Sequence, residues 1–198
     1  MNELDHSFAM HGTQTPDLSA ELLVHIARLV HGAGSDVSLT PAQWTALRFF
    51  ARANRLSRTP TAFSEFNATT RGTASQTVKS LVTLGLLERH ENELDGRSSL
   101  ISVTEAGRAK LSADPMEALA RAIAALAPDA QAALAVSLGR VASVMARQHA
   151  APTFGQCSDC GHREDDGAAS GYCRCAQIAL GPADLAALCV DFLPTPRR

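Results

Sequence analysis

Apolar residues in the first half of the chain recur at steps of three and four. Leu22, Leu23, Ile26, Leu29 and Val30 mark a single stripe, which predicts a helix over about 17–32. Thr40-Pro41-Ala42-Gln43 supplies an N-cap, a proline at the first helical position and a glutamine able to close a capping box. A second helix starts there and buries Trp44, Leu47 and Phe50. Thr59-Pro60 opens a third, short helix in the same way, with Phe63 and Phe66 inward and Asn67 to Gly72 as the turn after it. A fourth helix over about 73–84 turns Val78, Leu81 and Val82 to the core and leaves Thr73, Ser75, Gln76, Lys79 and Ser80 on a polar face. Gly85 ends it, and Leu87 to Glu91 and Leu100 to Thr104 read as two strands joined by a tip, Asn92 to Ser99, with turn chemistry in Asp95-Gly96. The order is helix-turn-helix followed by a β-hairpin, or wing.

Helical spacing returns after the hairpin, in segments 105–126 and 128–148. Leu119, Ile123 and Leu126, then Leu134, Leu138, Val141 and Met145, form stripes suited to a core or a subunit seam. Asp114-Pro115 is expected to bend the first of these segments. The alanine-rich stretch 118–147 is interrupted by Arg121, Asp129, Arg140 and Arg147, so no membrane span is expected. Met1 to Met10 lacks a basic region followed by an apolar run, which predicts a cytoplasmic chain whose cysteines stay reduced.

Charge sharpens the picture only through its distribution. The net charge is -2, yet Arg48 to Lys110 holds ten basic side chains against six acidic ones. A local positive excess of this kind suits a polyanion as well as it suits an ordinary solvated face. With 198 residues and 45% apolar composition, one good core is affordable, plus a small appendage that needs a staple.

Three motifs resemble the MarR family of winged helix-turn-helix regulators: Leu81-Val82-Thr83-Leu84-Gly85-Leu86, Asp95-Gly96-Arg97 and Val103-Thr104-Glu105-Ala106-Gly107. The resemblance spans roughly 17–148, with Gly96 standing where the family often has a second arginine. It implies a mainly α fold with a small β-hairpin wing, whose first helix and post-wing helices form a homodimer interface. A twofold dimer implies double-stranded DNA with an inverted-repeat operator. The fourth helix would then enter the major groove, where Gln76 pairs with adenine and Lys79 with guanine or phosphate. Thr73, Ser75 and Ser80 lie beside them, and Arg97, oriented by Asp95, enters the minor groove. The alternatives are that Gln76 touches only sugar-phosphate and that Arg97 is a solvated tip charge.

Cys157, Cys160, Cys175 and Cys189 stand at C-x2-C-x14-C-x13-C. Four thiolates from one segment complete a tetrahedral zinc site or hold an iron-sulfur cubane. The spacing, with Phe192 after the last cysteine, resembles the cluster-binding end of high-potential iron-sulfur proteins over about 154–193, with Phe154, Tyr172 and Phe192 as its remaining aromatic residues. That resemblance implies a 4Fe-4S cluster. Zinc is the alternative, because Cys157-Ser158-Asp159-Cys160-Gly161 looks like a zinc knuckle. Cys173 is a substitute ligand for Cys175, and His162 reads as solvent-facing or as a partner of the ligands rather than a ligand.

The organisation expected is a flexible segment 1–16, a winged-helix and dimerisation domain 17–150 with its DNA-binding part about 40–110, and a Cys-rich metal-binding module 151–198. No nucleophile motif, phosphate loop or paired-carboxylate pattern occurs, so an enzyme is not expected. The reading is a DNA-binding regulator whose cluster senses redox state, oxygen or iron, acting through the spacing of the dimer helices that precede it. Two alternatives stand beside it. One is a repressor responsive to a small aromatic acid, with a structural zinc and a pocket lined by Trp44 and Phe50. The other is an electron-transfer or accessory iron-sulfur module.

Overall fold

The computed structural model describes residues 15–32, 39–91, 99–149, 151–165 and 170–195. Four helices come first: α1 (Pro16–Gly32), α2 (Pro41–Arg52), α3 (Pro60–Phe66) and α4 (Arg71–Thr83). Strands β1 (Leu87–Glu91) and β2 (Ser99–Val103) pair antiparallel, with Leu87 opposite Val103 and Glu91 opposite Ser99. Helices α5 (Glu105–Leu111), α6 (Met116–Ala124) and α7 (Pro128–Gln148) follow. The break between α5 and α6 falls at the expected Asp114-Pro115, where the Asp114 carboxylate accepts from Met116 N and from Arg48 Nε at 2.7 Å.

Caps set the helix starts. The box at Thr40 and Gln43 is complete, and Thr59, Thr70 and Thr104 each accept a backbone N–H from the first turn of the helix they precede. Because Thr70 is the cap, α4 starts at Arg71, two residues earlier than periodicity alone predicts. Trp44, Leu47, Phe49, Phe50, Phe63, Val78, Leu81, Leu87 and Ile101 then form one core. Trp44 and Phe50 are only 3% and 1% exposed, so they are packing residues and not the walls of a ligand pocket. Arg48 and Lys110 each stand 5.9 Å from the Trp44 ring centroid.

Two of the sequence motifs are halves of one corner. Gly85, at φ +69°, ends α4 in a conformation that favours glycine. Its carbonyl accepts from Thr104 Oγ1 at 2.6 Å, and that Thr104 hydroxyl in turn accepts from Gly107 N at 3.0 Å. A Cβ on Gly107 would collide with the Leu86 carbonyl oxygen and meet Val103 Cγ1 at 2.7 Å. The helix C-terminus, the second wing strand and α5 are locked together there.

Helices α6 and α7 have no buried residue, and α1 lies against α6. Of their expected stripes Leu22, Leu23, Leu29, Leu126, Val141 and Met145 are exposed, as is Met116, while Ile26, Leu119, Ile123, Leu134 and Leu138 are half-buried and Val30 is buried. No helix among the described residues is long and apolar enough to cross a membrane.

The C-terminal module is built from small antiparallel pieces. β3 (Gly155–Gln156) pairs with β7 (Leu188–Cys189), while β4 (Arg163–Asp165), β5 (Gly171–Cys173) and β6 (Ile178–Leu180) form a three-stranded sheet. A 3-10 turn, Cys157–Asp159, carries the knuckle, and a one-turn helix α8 (Pro182–Leu185) precedes β7.

Gly107→Ala should lower the unfolding free energy by about 1–3 kcal/mol, because the obstructing atom is backbone that cannot rotate away. The midpoint of a urea titration, compared with that of the unaltered chain, measures it.

Candidate nucleic-acid interface and cysteine cluster

α4 presents its polar face as predicted. Thr73, Ser75, Gln76 and Lys79 are exposed, as is Arg71 at its start, while Ala74, Val78 and Leu81 are buried beneath. The Thr73 and Thr70 hydroxyls stand 2.9 Å apart, so Thr73 is engaged with the cap. Ser80 is half-buried and its Oγ accepts from Gln43 Nε2 at 2.8 Å. It fixes α4 against α2, a role that side-chain periodicity does not distinguish from groove contact. Gln43 thereby serves twice, since its Oε1 also accepts from Thr40 N at 2.7 Å. Asp95 and Arg97 lie outside the described residues, so the predicted minor-groove contact has no geometry to report.

The cysteines gather around a second, much smaller core. Cys157, Leu180 and Cys189 are buried, with Cys173, Ile178, Leu185 and Phe192 packed against them. Opposition of Gly155 to Cys189 in the β3–β7 pair is what brings two cysteines 32 positions apart together. The Phe192 ring covers Gly155 so closely that a Cβ there would sit 2.5 Å from ring carbons. Cys160 is half-buried and Cys175 exposed. His162 stays half-buried, with no role in the described contacts beyond its carbonyl accepting from Arg174 N.

Hydrogen bonding and charge tie the sulfurs into one group. Cys157 and Cys189 share a hydrogen bond that pushes the Cys157 thiol far up and draws Cys189 down to about 6, against the opposing effect of its burial. The exposed Cys175 thiol is raised by partial desolvation and then by the nearby charges of Asp191, Cys173, Cys189 and Cys160. N–H groups point at three sulfurs: Leu193 N at Cys160 and Ala176 N at Cys173, both at 3.5 Å, and Asn54 Nδ2 at Cys157, at 3.7 Å. Such donors favour the anionic sulfur that metals require. Thiols clustered in a core with few aliphatic side chains, and N–H groups aimed at sulfur, fit an iron-sulfur group. Among the described residues no three His, Cys, Asp or Glu side chains stand close enough together to hold one metal ion.

The aromatic residues divide differently from expectation. Only Phe192 packs on the cysteine core, whereas Tyr172 is exposed. Phe154 turns the other way, its ring 4.9 Å from Phe66 and 6.1 Å from Phe49. It joins the module to the winged-helix core. The module's main seat is the turn between α2 and α3, where Asn54 and Ser57 are buried, and nothing in local sequence pattern marks these two residues.

With this geometry in view, comparison with known proteins places the chain. The sequence pattern of the MarR family matches residues 37–98, which contain α2 to β1. A probable transcriptional regulator from Pseudomonas aeruginosa is 25% identical with a TM-score of 0.50, over 65% of this chain and 97% of its own. The PcaV transcriptional regulator from Streptomyces coelicolor, solved in complex with its natural ligand, is 25% identical with a TM-score of 0.51, over 72% of this chain and 98% of its own. The S. aureus MepR–DNA complex shares the fold at 15% identity and a TM-score of 0.54, over 67% of this chain and 99% of its own. No protein of curated function matches. Together these show that residues 37–98 match the MarR family pattern and that the described winged-helix part is similar in fold to these regulators. They also leave about a third of the chain without a counterpart in those near-complete neighbours.

Replacing Gln43 by Ala removes both the cap partner of Thr40 and the donor to Ser80. The expected cost is about 1–2 kcal/mol of stability, read by thermal unfolding.

Proposed function

We propose that the protein is a dimeric, MarR-type DNA-binding transcriptional regulator whose DNA affinity is set by a 4Fe-4S cluster on Cys157, Cys160, Cys175 and Cys189. The observation that carries it is the pairing of an exposed polar α4, held by caps and by Gln43, with a cysteine cluster seated directly on the turn before α3. On this reading Gln76 and Lys79 meet base edges or phosphate, Thr73 and Ser75 flank them, and Ser80 acts from behind. The uncovered apolar faces of α1, α6 and α7 are the surface a second copy covers, since apolar exposure on this scale marks an interface.

That no three ligating side chains stand together among the described residues bears on zinc and cluster alike. The spacing C-x2-C-x14-C-x13-C is what favours the cluster. When bound it would supply a redox-active, oxygen-labile charge beside the DNA-binding half, while Cys157 and Cys189 anchor it, Phe192 covers them and Asn54 donates to Cys157.

A second reading is favoured by one observation. A groove of about 780 Å³ runs between α7 and the module, lined by Phe66, Val136, Arg140, Arg147, Phe154 and Phe192. Two arginines beside aromatic rings suit an aromatic carboxylate, and the Streptomyces neighbour was solved with a ligand. In that case a zinc staple would replace the cluster.

Anaerobic purification with iron, sulfide, zinc and visible absorption measurements separates the two. About four irons and four sulfides per chain with a broad visible band support the cluster, and one zinc in a colourless protein sinks it. For DNA, Lys79→Ala should weaken binding across sequences and reduce the salt slope by about 1, while Gln76→Ala should cost about 1–3 kcal/mol at one base position. An unchanged salt slope in the lysine variant removes Lys79 from the phosphate contacts.

A further inference from the structure

The module does not merely follow the dimer helices; it is built into the DNA-binding half. Asn54 N donates to Leu188 O at 2.8 Å, and Ala53 bridges Leu188 in parallel, so β7 continues beside the α2–α3 turn. Ser57, fully buried, accepts from Val190 N through its Oγ at 2.9 Å. Arg55 Nη2 donates to Ala179 O at 2.7 Å and pairs with Asp184.

Asn54 sits at the centre of this seat, 4% exposed. Its Oδ1 accepts from Leu56 N at 3.1 Å and Ser57 N at 2.9 Å, which holds the turn, while its Nδ2 points at Cys157 Sγ. One amide therefore reports on a sulfur with one end and shapes the turn with the other. The same turn reaches the wing and the start of the helix-turn-helix. Arg58 O accepts from Ile101 N of β2 in the wing at 2.8 Å, and the next residue, Thr59, caps α3.

We propose that Asn54 and Ser57 are the positioning residues through which occupancy of the cysteine site is passed, within one chain, to the wing and to the helix-turn-helix. The inference rests on the reading that Cys157 is a metal ligand. A ligating sulfur is anionic and accepts more strongly than a thiol, so filling the site tightens the Asn54 contact and with it the turn. This route differs from one through the spacing of the dimer helices, since it runs through hydrogen bonds between the module and the α2–α3 turn.

The test uses the full-length dimer, filled by anaerobic reconstitution with iron and sulfide or left empty, and a duplex selected by the wild-type protein from a random-sequence pool. Asn54→Asp keeps the Oδ1 acceptor and replaces the sulfur-facing donor with a carboxylate oxygen. Ser57→Ala removes only the acceptor for Val190 N–H, and serves if the first variant does not fold. Wild type should show a filled-to-empty affinity ratio of about fivefold or more in one direction. It should also show hydrogen-exchange protection of the 53–60 turn that rises on filling. In the variants the ratio should fall towards one and the protection difference should vanish, while iron and sulfide content persist and the sulfur-to-iron absorption band shifts for Asn54→Asp.

Iron-loaded variants that keep the wild-type ratio and protection difference overturn the inference and leave the cluster reading intact. Wild type that takes up no iron and sulfide overturns the cluster reading and the inference with it. Filled and empty wild type binding DNA equally also sinks the inference and reduces the cluster to a staple.

Discussion

A single turn, Asn54 to Arg58, with Asn54 and Ser57 buried, carries much of the molecule. It has almost no regular structure, so its backbone groups need partners, and leaving them unmatched in the interior would cost about 1–3 kcal/mol each. Those partners come from everywhere around it: Asn54 Oδ1 from within, Leu188 from the C-terminal module and Ile101 from the wing, while the Ser57 hydroxyl accepts from Val190 N of the module. Meeting that demand joins three parts of the chain that are far apart in sequence. The winged helix and the cysteine module thereby share an interior, with Phe154 adding an aromatic edge to the Phe49 and Phe66 pair.

The two cores differ in kind. The winged helix is held by close-packed aromatic and aliphatic side chains, with Phe49 meeting Phe50 edge-on at 5.1 Å. Among the described residues the module buries only Leu180 and Leu188 as aliphatic side chains, and two of the three residues of its own small core are cysteines. Apolar burial of that extent cannot offset the ordering of some forty residues at about 1–2 kcal/mol each. Its order depends on the docking surface and, on the function proposed, on a metal group that adds binding energy to folding. Sensor and staple are then one thing: what releases the group also loosens the seat.

The winged helix was legible because each signal is local. Thr40 and Gln43, Thr59-Pro60 and Gly85 act within one turn of their own position, and their helices begin or end where those residues stand. Ser80 shows the limit of such reading. Periodicity puts it on the outer face with Gln76 and Lys79, yet its hydroxyl is held by Gln43 on a neighbouring helix. The same limit explains Phe154 and Tyr172, whose aromatic character suggested the cysteine core but whose direction depends on which surface the linker meets.

By itself, then, the chain's pattern determined the order of elements, their caps, the polar face of α4 and the spacing of thiols, because hydrophobic period, capping chemistry and ligand spacing are properties of neighbouring residues. Tertiary structure alone decided that Thr104 ties Gly85 to Gly107, that Gly155 opposite Cys189 closes the cysteine cluster, and that Asn54 reaches Cys157 across 103 positions of sequence. Each of those contacts needs two surfaces to meet at a particular angle. Nothing in the composition or period of either partner encodes that angle until the whole chain has packed.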